Sequence, residues 1–123
     1  MTLQELYAAI GGNYEHALQI MRLDKMIDKY LRKFAAGALD ADLRAAAESG
    51  EPGRIFDAAH ALKGVTANLG LDDLAAAVGA VTEEYRPGAA RKLSDAEVQA
   101  LLAQVRDLCQ RAAEGIARYA EGE

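Results

Sequence analysis

Apolar side chains recur along most of the chain at spacings of three and four residues, which is the repeat of an amphipathic α-helix. No segment alternates convincingly between apolar and polar residues, as a half-buried strand would. The repeat predicts four long helices with one apolar face each and two short accessory helices. The long helices cover residues 13–36, 51–69, 72–86 and 94–120, and the short ones cover residues 3–10 and 39–49. The pattern therefore predicts an all-α protein.

Residues that cap helices support these boundaries. Thr2 with Glu5 and Ser94 with Glu97 have the form of capping boxes. The other side chains placed to cap a helix start are those of Asn13, Asp40 and either Asp72 or Asp73. Because most predicted connections are short, neighbouring long helices should run antiparallel. We expect residues 1–123 to form one domain, an antiparallel up-and-down four-helix bundle with short accessory helices.

Composition narrows the classes of partner. The chain carries 19 acidic and 14 basic residues, a net charge of −5, and its basic residues are scattered singly. No basic stripe is available for a nucleic acid. No apolar run approaches the roughly 18 residues of a membrane span, and the N-terminus lacks a secretion signal, so we expect a cytoplasmic chain without a membrane partner. Cys109 is the single cysteine, which excludes an internal disulfide, and its apolar surroundings predict a buried thiol.

The helix predicted over residues 51–69 presents a histidine on its polar side. At 100° per residue, the residues expected to face the core are Ile55, Ala58, Leu62, Val65 and Leu69. The residues expected on the opposite face are His60, Lys63, Gly64 and Ala67. An imidazole is thus offered to solvent, with a cation one turn away and a position without a side chain beside it. This arrangement suits a group that another macromolecule must reach.

The segment His60-x-Leu62-Lys63-Gly64, followed by Leu69-Gly70, resembles the signature of histidine-containing phosphotransfer (HPt) domains of multistep phosphorelays. The resemblance implies a helical bundle and a phosphoryl group carried on Nε2 of His60. Lys63 can bring its ammonium group near the phosphoryl oxygens, and Gly64 leaves room for the phosphoryl group and the partner. A glycine inside a helix costs about 1 kcal/mol relative to alanine, so its presence needs a reason.

Two further residues lie towards the end of the same helix. Ala67 shares the face of His60, and Asn68 at its edge either hydrogen-bonds the phosphoryl group or only solvates the helix end. Gly70 is expected to end the helix, and not to contact a ligand. His16 has no comparable neighbours, so a surface or capping role is expected for it. Glu83 and Glu84 resemble a solvated charge run.

The function implied by the resemblance is a phosphocarrier. The chain has no Gly-rich phosphate loop and no kinase-type nucleotide segment, so we expect no intrinsic ATP-dependent kinase activity. The expected partners are response-regulator receiver domains and a sensor or hybrid histidine kinase, with no cofactor bound by this chain and Mg²⁺ supplied by the receiver. The alternative is a helical interaction module that binds a receiver without being phosphorylated. A metal or ligand bundle is disfavoured, because neither His60 nor His16 has a histidine or cysteine three or four residues away. The chain also lacks the carboxylate and histidine pairs on facing helices that such sites use.

Overall fold

The computed structural model describes residues 1–122, which form seven α-helices and no strand. The helices are α1 (Leu3–Ala9), α2 (Tyr14–Met21), α3 (Asp24–Ala35), α4 (Ala38–Ser49), α5 (Pro52–Asn68), α6 (Asp72–Glu84) and α7 (Asp95–Ala120). The prediction of an all-α fold is confirmed. Among the described residues, no helix combines the length and apolar character needed to cross a membrane.

The predicted caps are confirmed at three helix starts. Thr2 and Ser94 each form a complete capping box, and the side chain of Asn13 accepts a hydrogen bond from the His16 backbone at 3.0 Å. At α4 and α6 the prediction was wrong, because the residues at the cap positions are Gly37 and Leu71 and neither has a side-chain cap. The aspartates expected there lie in the first helical turn, where their charge favours the positive end of the helix dipole.

The long helix predicted over residues 13–36 is two helices. Arg22 ends α2 with a left-handed backbone (φ 72°), and Leu23 precedes α3. Ile20 and Leu23, two apolar residues of this predicted helix, are 42% and 51% exposed. The apolar repeat continues past the break, and no glycine or proline marks it. The Tyr14 hydroxyl donates to Asp24 at 2.5 Å and so links the two helices across the break.

Helix α5 lies between α4 and α6. Its most extensive contacts are with α6 and the next most extensive with α4, while α7 packs against α6, α3 and α1. The segment expected to be a short accessory at residues 39–49 is therefore a wall beside α5, with Leu43 and Ala46 buried. This helix was predicted to be an accessory because it is short. Spacing along the chain does not reveal which helices pack together in the tertiary fold, so its contact with α5 was missed.

Helices α5 and α6 form an antiparallel hairpin. The early residue Phe56 of α5 faces Arg86 just beyond α6, whereas the later residue Lys63 lies beside Gly79, in the middle of α6. The connection between the helices is the short turn Leu69–Leu71, as is usual for antiparallel neighbours. Residues of α6 therefore lie beside the exposed face of α5.

The N-terminal residues fasten the turn of this hairpin. The buried Tyr7 hydroxyl donates to the Leu69 carbonyl oxygen at 2.6 Å, and the Asn13 backbone N–H donates to the Gly70 carbonyl oxygen at 2.7 Å. His16 Nδ1 lies 2.9 Å from a carboxylate oxygen of Asp72, which connects α2 to α6. These contacts fix where α5 ends.

The sequence predicted a buried Cys109 and a solvent-exposed Glu84. Cys109 is buried as predicted, and burial raises the pKa of its thiol to about 12. Glu84 is buried as well, so the expectation of a solvated charge run is wrong at this position. Its carboxylate accepts hydrogen bonds from Arg91 Nε at 2.5 Å and from the backbone N–H groups of Lys92 and Leu93, each at 3.1 Å. The bond from Arg91 holds the pKa of Glu84 below its usual value.

Candidate functional site

Helix α5 buries one face and exposes the other. The residues fully enclosed on the inner side are Ile55, Ala59, Leu62, Thr66 and Leu69. Ala58 and Val65, which were expected to point inward, are only half-buried. The buried face is turned slightly because α5 is covered by α4 on one side and α6 on the other. Thr66 is tolerated there because its hydroxyl donates to the Leu62 carbonyl oxygen at 2.9 Å.

His60 lies on the outer face, near the middle of α5, and its side chain is exposed. Its ring stacks on the ring of Phe56, one turn earlier, with a centroid distance of 5.5 Å and an angle of 14° between the planes. Phe56 is half-buried. Its partnership with His60 was not predicted, although two flat rings four residues apart on a helix are a recognisable signal. The imidazole is accessible to a partner and is braced on one side.

Lys63 follows one turn after His60 and leans towards α6. A β-carbon at Gly79 would lie 3.6 Å from Lys63 Cε, so the lysine stem crosses α6 at a residue without a side chain. Hydrogen bonds from Arg86 lower the pKa of Glu83, and the positive charge of Lys63 adds to this effect. The stem of Lys63 thus lies on the α6 side of the exposed face, and its positive charge is near enough to Glu83 to act on that carboxylate.

Gly64 is exposed and has open space in front of it. A β-carbon at this position would meet no atom within 4 Å outside its own turn. Its backbone φ is not positive, so the helix does not require glycine for conformational reasons either. A larger side chain would fit without disturbing the fold. The space beside His60 is therefore free for an incoming group.

Ala67 and Asn68 lie farther along α5, about two turns beyond His60. Ala67 is half-buried, and Asn68 is exposed as the last residue of the helix. The structure thus brings Lys63 and Gly64 next to His60 and places these two residues at the end of the same surface.

Gly70 lies just past the end of α5 and faces the protein interior. It has a left-handed backbone with φ of 65°. A β-carbon here would lie 2.6 Å from the Asn13 carbonyl oxygen and 2.8 Å from the Ala17 backbone nitrogen. Its surroundings agree with the expectation that it ends the helix, and they add a close approach of α2 that the sequence did not reveal.

A pair of charged residues from the α6 side extends the exposed face. Arg86 donates to both carboxylate oxygens of Glu83, from Nη2 at 2.7 Å and from Nε at 3.1 Å. The guanidinium carbon of Arg86 lies 5.5 Å from the centre of the Phe56 ring, within the range of a cation–π contact. Glu83, Arg86, Phe56 and His60 therefore form a continuous series of contacts. Sequence reasoning assigned no role to Arg86.

The remaining candidate positions lie elsewhere. An open groove of about 750 Å³ runs between α4 and α7, and none of its lining residues belongs to α5. His16 is engaged with Asp72, away from the exposed face of α5. Across residues 1–122, no group of three or more His, Cys, Asp or Glu residues is placed to hold a metal ion.

The helices that form this face lie within a region that matches a known protein family. The family model of the Hpt domain matches residues 25–115, a range that includes the whole of α4, α5 and α6. Helices α1 and α2 precede the matched region. Searches of the curated proteins and of the solved structures gave no match. Because the family model covers well over half of the chain, this protein belongs to the Hpt domain family of phosphocarriers in two-component signalling.

Proposed function

We propose that this protein carries a phosphoryl group on His60 between aspartyl-phosphate receiver domains of a two-component relay. One observation carries the proposal. Within the region matched by the family model, the His60 imidazole is exposed, a lysine lies one turn away, and the space at Gly64 is open. Phosphoryl transfer requires mainly that the reacting groups be positioned and that developing charge be stabilised.

The proposed step exchanges one bond to phosphorus for another. A neutral imidazole nitrogen, Nε2 by resemblance to the family, attacks the phosphorus of an aspartyl phosphate. The N–P bond forms, the P–O bond to the aspartate breaks, and the aspartate leaves as a carboxylate. The ring proton on the other nitrogen passes to solvent. The reverse sequence delivers the phosphoryl group to a second receiver.

The residues around His60 take supporting roles in this proposal. Lys63 brings its ammonium group towards the phosphoryl oxygens, and Gly64 admits the receiver. Ala67 and Asn68 form the part of the docking surface nearest the end of α5. In this proposal the receiver supplies the acidic pocket and Mg²⁺, so the chain itself needs no cofactor. The chain accepts and passes on a phosphoryl group but does not generate one from ATP.

The proposed partners are receiver domains and a sensor or hybrid histidine kinase, and the proposed location is the cytoplasm, where such partners act. No role in binding a nucleic acid or a membrane is proposed. The net charge of −5 disfavours phosphate-rich or anionic surfaces.

Incubation with a phosphorylated receiver domain tests the proposal. We expect acid-labile label on the wild-type protein, none on His60→Gln, and normal labelling of His16→Gln, with helical content checked by circular dichroism. His16 is the matched control because it is the other histidine of the chain. Label that persists on His60→Gln would contradict the proposal. A receiver that binds tightly but leaves no label would instead favour the non-phosphorylated interaction module.

A further inference from the structure

We propose that Phe56 is a positioning residue for the His60 imidazole and that Arg86, fixed by Glu83, holds Phe56 in place. This inference rests on the proposed phosphotransfer at His60. It assigns a role in that reaction to three residues outside the motif, two of which come from the α6 side of the hairpin.

Stacking against Phe56 restricts the orientation of the His60 ring. The Phe56 and His60 rings are nearly parallel, at 14°, with centroids 5.5 Å apart. An exposed side chain normally samples several rotamers, and a flat neighbour on one side removes those in which the ring turns across it. Stacking therefore limits the directions in which the imidazole nitrogens point. A nucleophile already aligned loses less freedom between the docked complex and the transition state of transfer.

Phe56 is in turn contacted by Arg86, from the α6 side of the hairpin. The Arg86 guanidinium lies 5.5 Å from the Phe56 ring centre, and its two hydrogen bonds to Glu83 fix the orientation of the guanidinium plane. A lone arginine on the surface would move freely, whereas one held at two oxygens offers Phe56 a stable neighbour. Through Arg86 and Phe56, the orientation of the His60 ring thus depends on how α6 is placed.

The principal experiment compares Phe56→Leu with Phe56→Tyr. Leucine keeps much of the apolar bulk but has no flat face, whereas tyrosine keeps the face. With saturating phosphorylated receiver, we expect single-turnover transfer to fall about two- to tenfold in Phe56→Leu, the range expected for ordering one side chain, and to remain near wild type in Phe56→Tyr. Receiver affinity should change little in either variant, because the loss lies in alignment.

Nuclear magnetic resonance supplies a readout that a merely structural role would not move. The carbon-bound ring protons of His60 should show an upfield ring-current shift in the wild type and in Phe56→Tyr, and lose it in Phe56→Leu. Arg86→Gln should reduce the shift and the transfer rate in the same direction but by less. Arg118→Gln, which removes an exposed arginine from the last turn of α7, is the matched control and should change neither.

A double variant tests whether Arg86 acts through Phe56. Phe56→Leu combined with Arg86→Gln should transfer no more slowly than Phe56→Leu alone. Additive losses, equal losses in the leucine and tyrosine variants, or a wild-type rate once the shift is lost would each overturn the inference. Arg86→Gln is an exposed substitution, so it tests the inference even if Phe56→Leu does not fold. If the wild type is never labelled, the proposed function fails, whereas the His60 shift still reports separately whether the rings stack.

Discussion

Two glycines of the same motif, Gly64 and Gly70, lie in opposite surroundings. Gly64 faces open solvent, with no atom within 4 Å of a β-carbon outside its own turn. Gly70 is buried with a left-handed backbone, and a β-carbon there would lie 2.6 Å from the carbonyl oxygen of Asn13, at the start of α2. The fold requires glycine at the second position and not at the first. A glycine that the fold does not need is the one that points to a function.

The same contrast extends to the regions around the two glycines. The end of α5 is fastened by Tyr7 and Asn13, which precede the region matched by the Hpt family model. The outer face of α5 holds the motif side chains His60 and Lys63, whose neighbours are Phe56 of α5 and Gly79 of α6. We therefore expect substitutions at the turn to change stability and substitutions on the face to change transfer.

Gly70→Ala should have the largest effect and should act on stability. The methyl group meets the backbone of Asn13 and Ala17, and alanine does not readily adopt φ of 65°. We expect a loss of about 2–4 kcal/mol in the free energy of unfolding, measured by urea denaturation. Transfer per folded molecule should be retained at low temperature. Stability equal to wild type would show that α2 moves away easily and that the close approach is not required.

Gly64→Gln should have the opposite profile. The side chain has room on the exposed face, and glutamine is a better helix former than glycine, so the melting temperature should be equal or higher. The same side chain projects beside His60, where the receiver must approach. We expect single-turnover transfer to fall about a hundredfold or more. A variant that unfolds would refute the assignment of Gly64 to the open face, and one that transfers normally would refute the clearance argument.

Lys63 lies on the outer face and combines both kinds of role, because its charge serves transfer while its stem packs against α6 at Gly79. Lys63→Ala should slow transfer about ten- to a hundredfold, the value of one charge-assisted contact of about 1.5–3 kcal/mol. Lys63→Met separates the two contributions, since it keeps an unbranched stem over Gly79 and removes the charge. We expect the methionine variant to transfer as slowly as the alanine variant, with a melting temperature closer to wild type. Transfer at the wild-type rate in Lys63→Met would leave Lys63 with a packing role alone.

The sequence predicted the open face better than the structure around it. Helical spacing along one segment was enough to place His60 and Gly64 on the outside, because the relation depends only on positions within α5. The break at Arg22 was missed, since its left-handed backbone is not marked by a glycine or a proline. The burial of Glu84 was missed because it depends on how the loop after α6 folds back onto its carboxylate. The approach of Arg86 to Phe56 was missed because it depends on the packing of α6 against α5. Local periodicity carries no information on those contacts.

Gly64→Ala should have the smallest effect. It measures directly how much folding stability is lost by having glycine on the open face. Alanine adds only a methyl group in free space and removes the conformational penalty of glycine within a helix. We expect the protein to be stabilised by about 0.5–1 kcal/mol in urea denaturation. A methyl group obstructs the receiver far less than a glutamine side chain, so transfer should fall less than in Gly64→Gln. A destabilised Gly64→Ala would mean that both glycines serve the fold, and the division between the two regions would not hold.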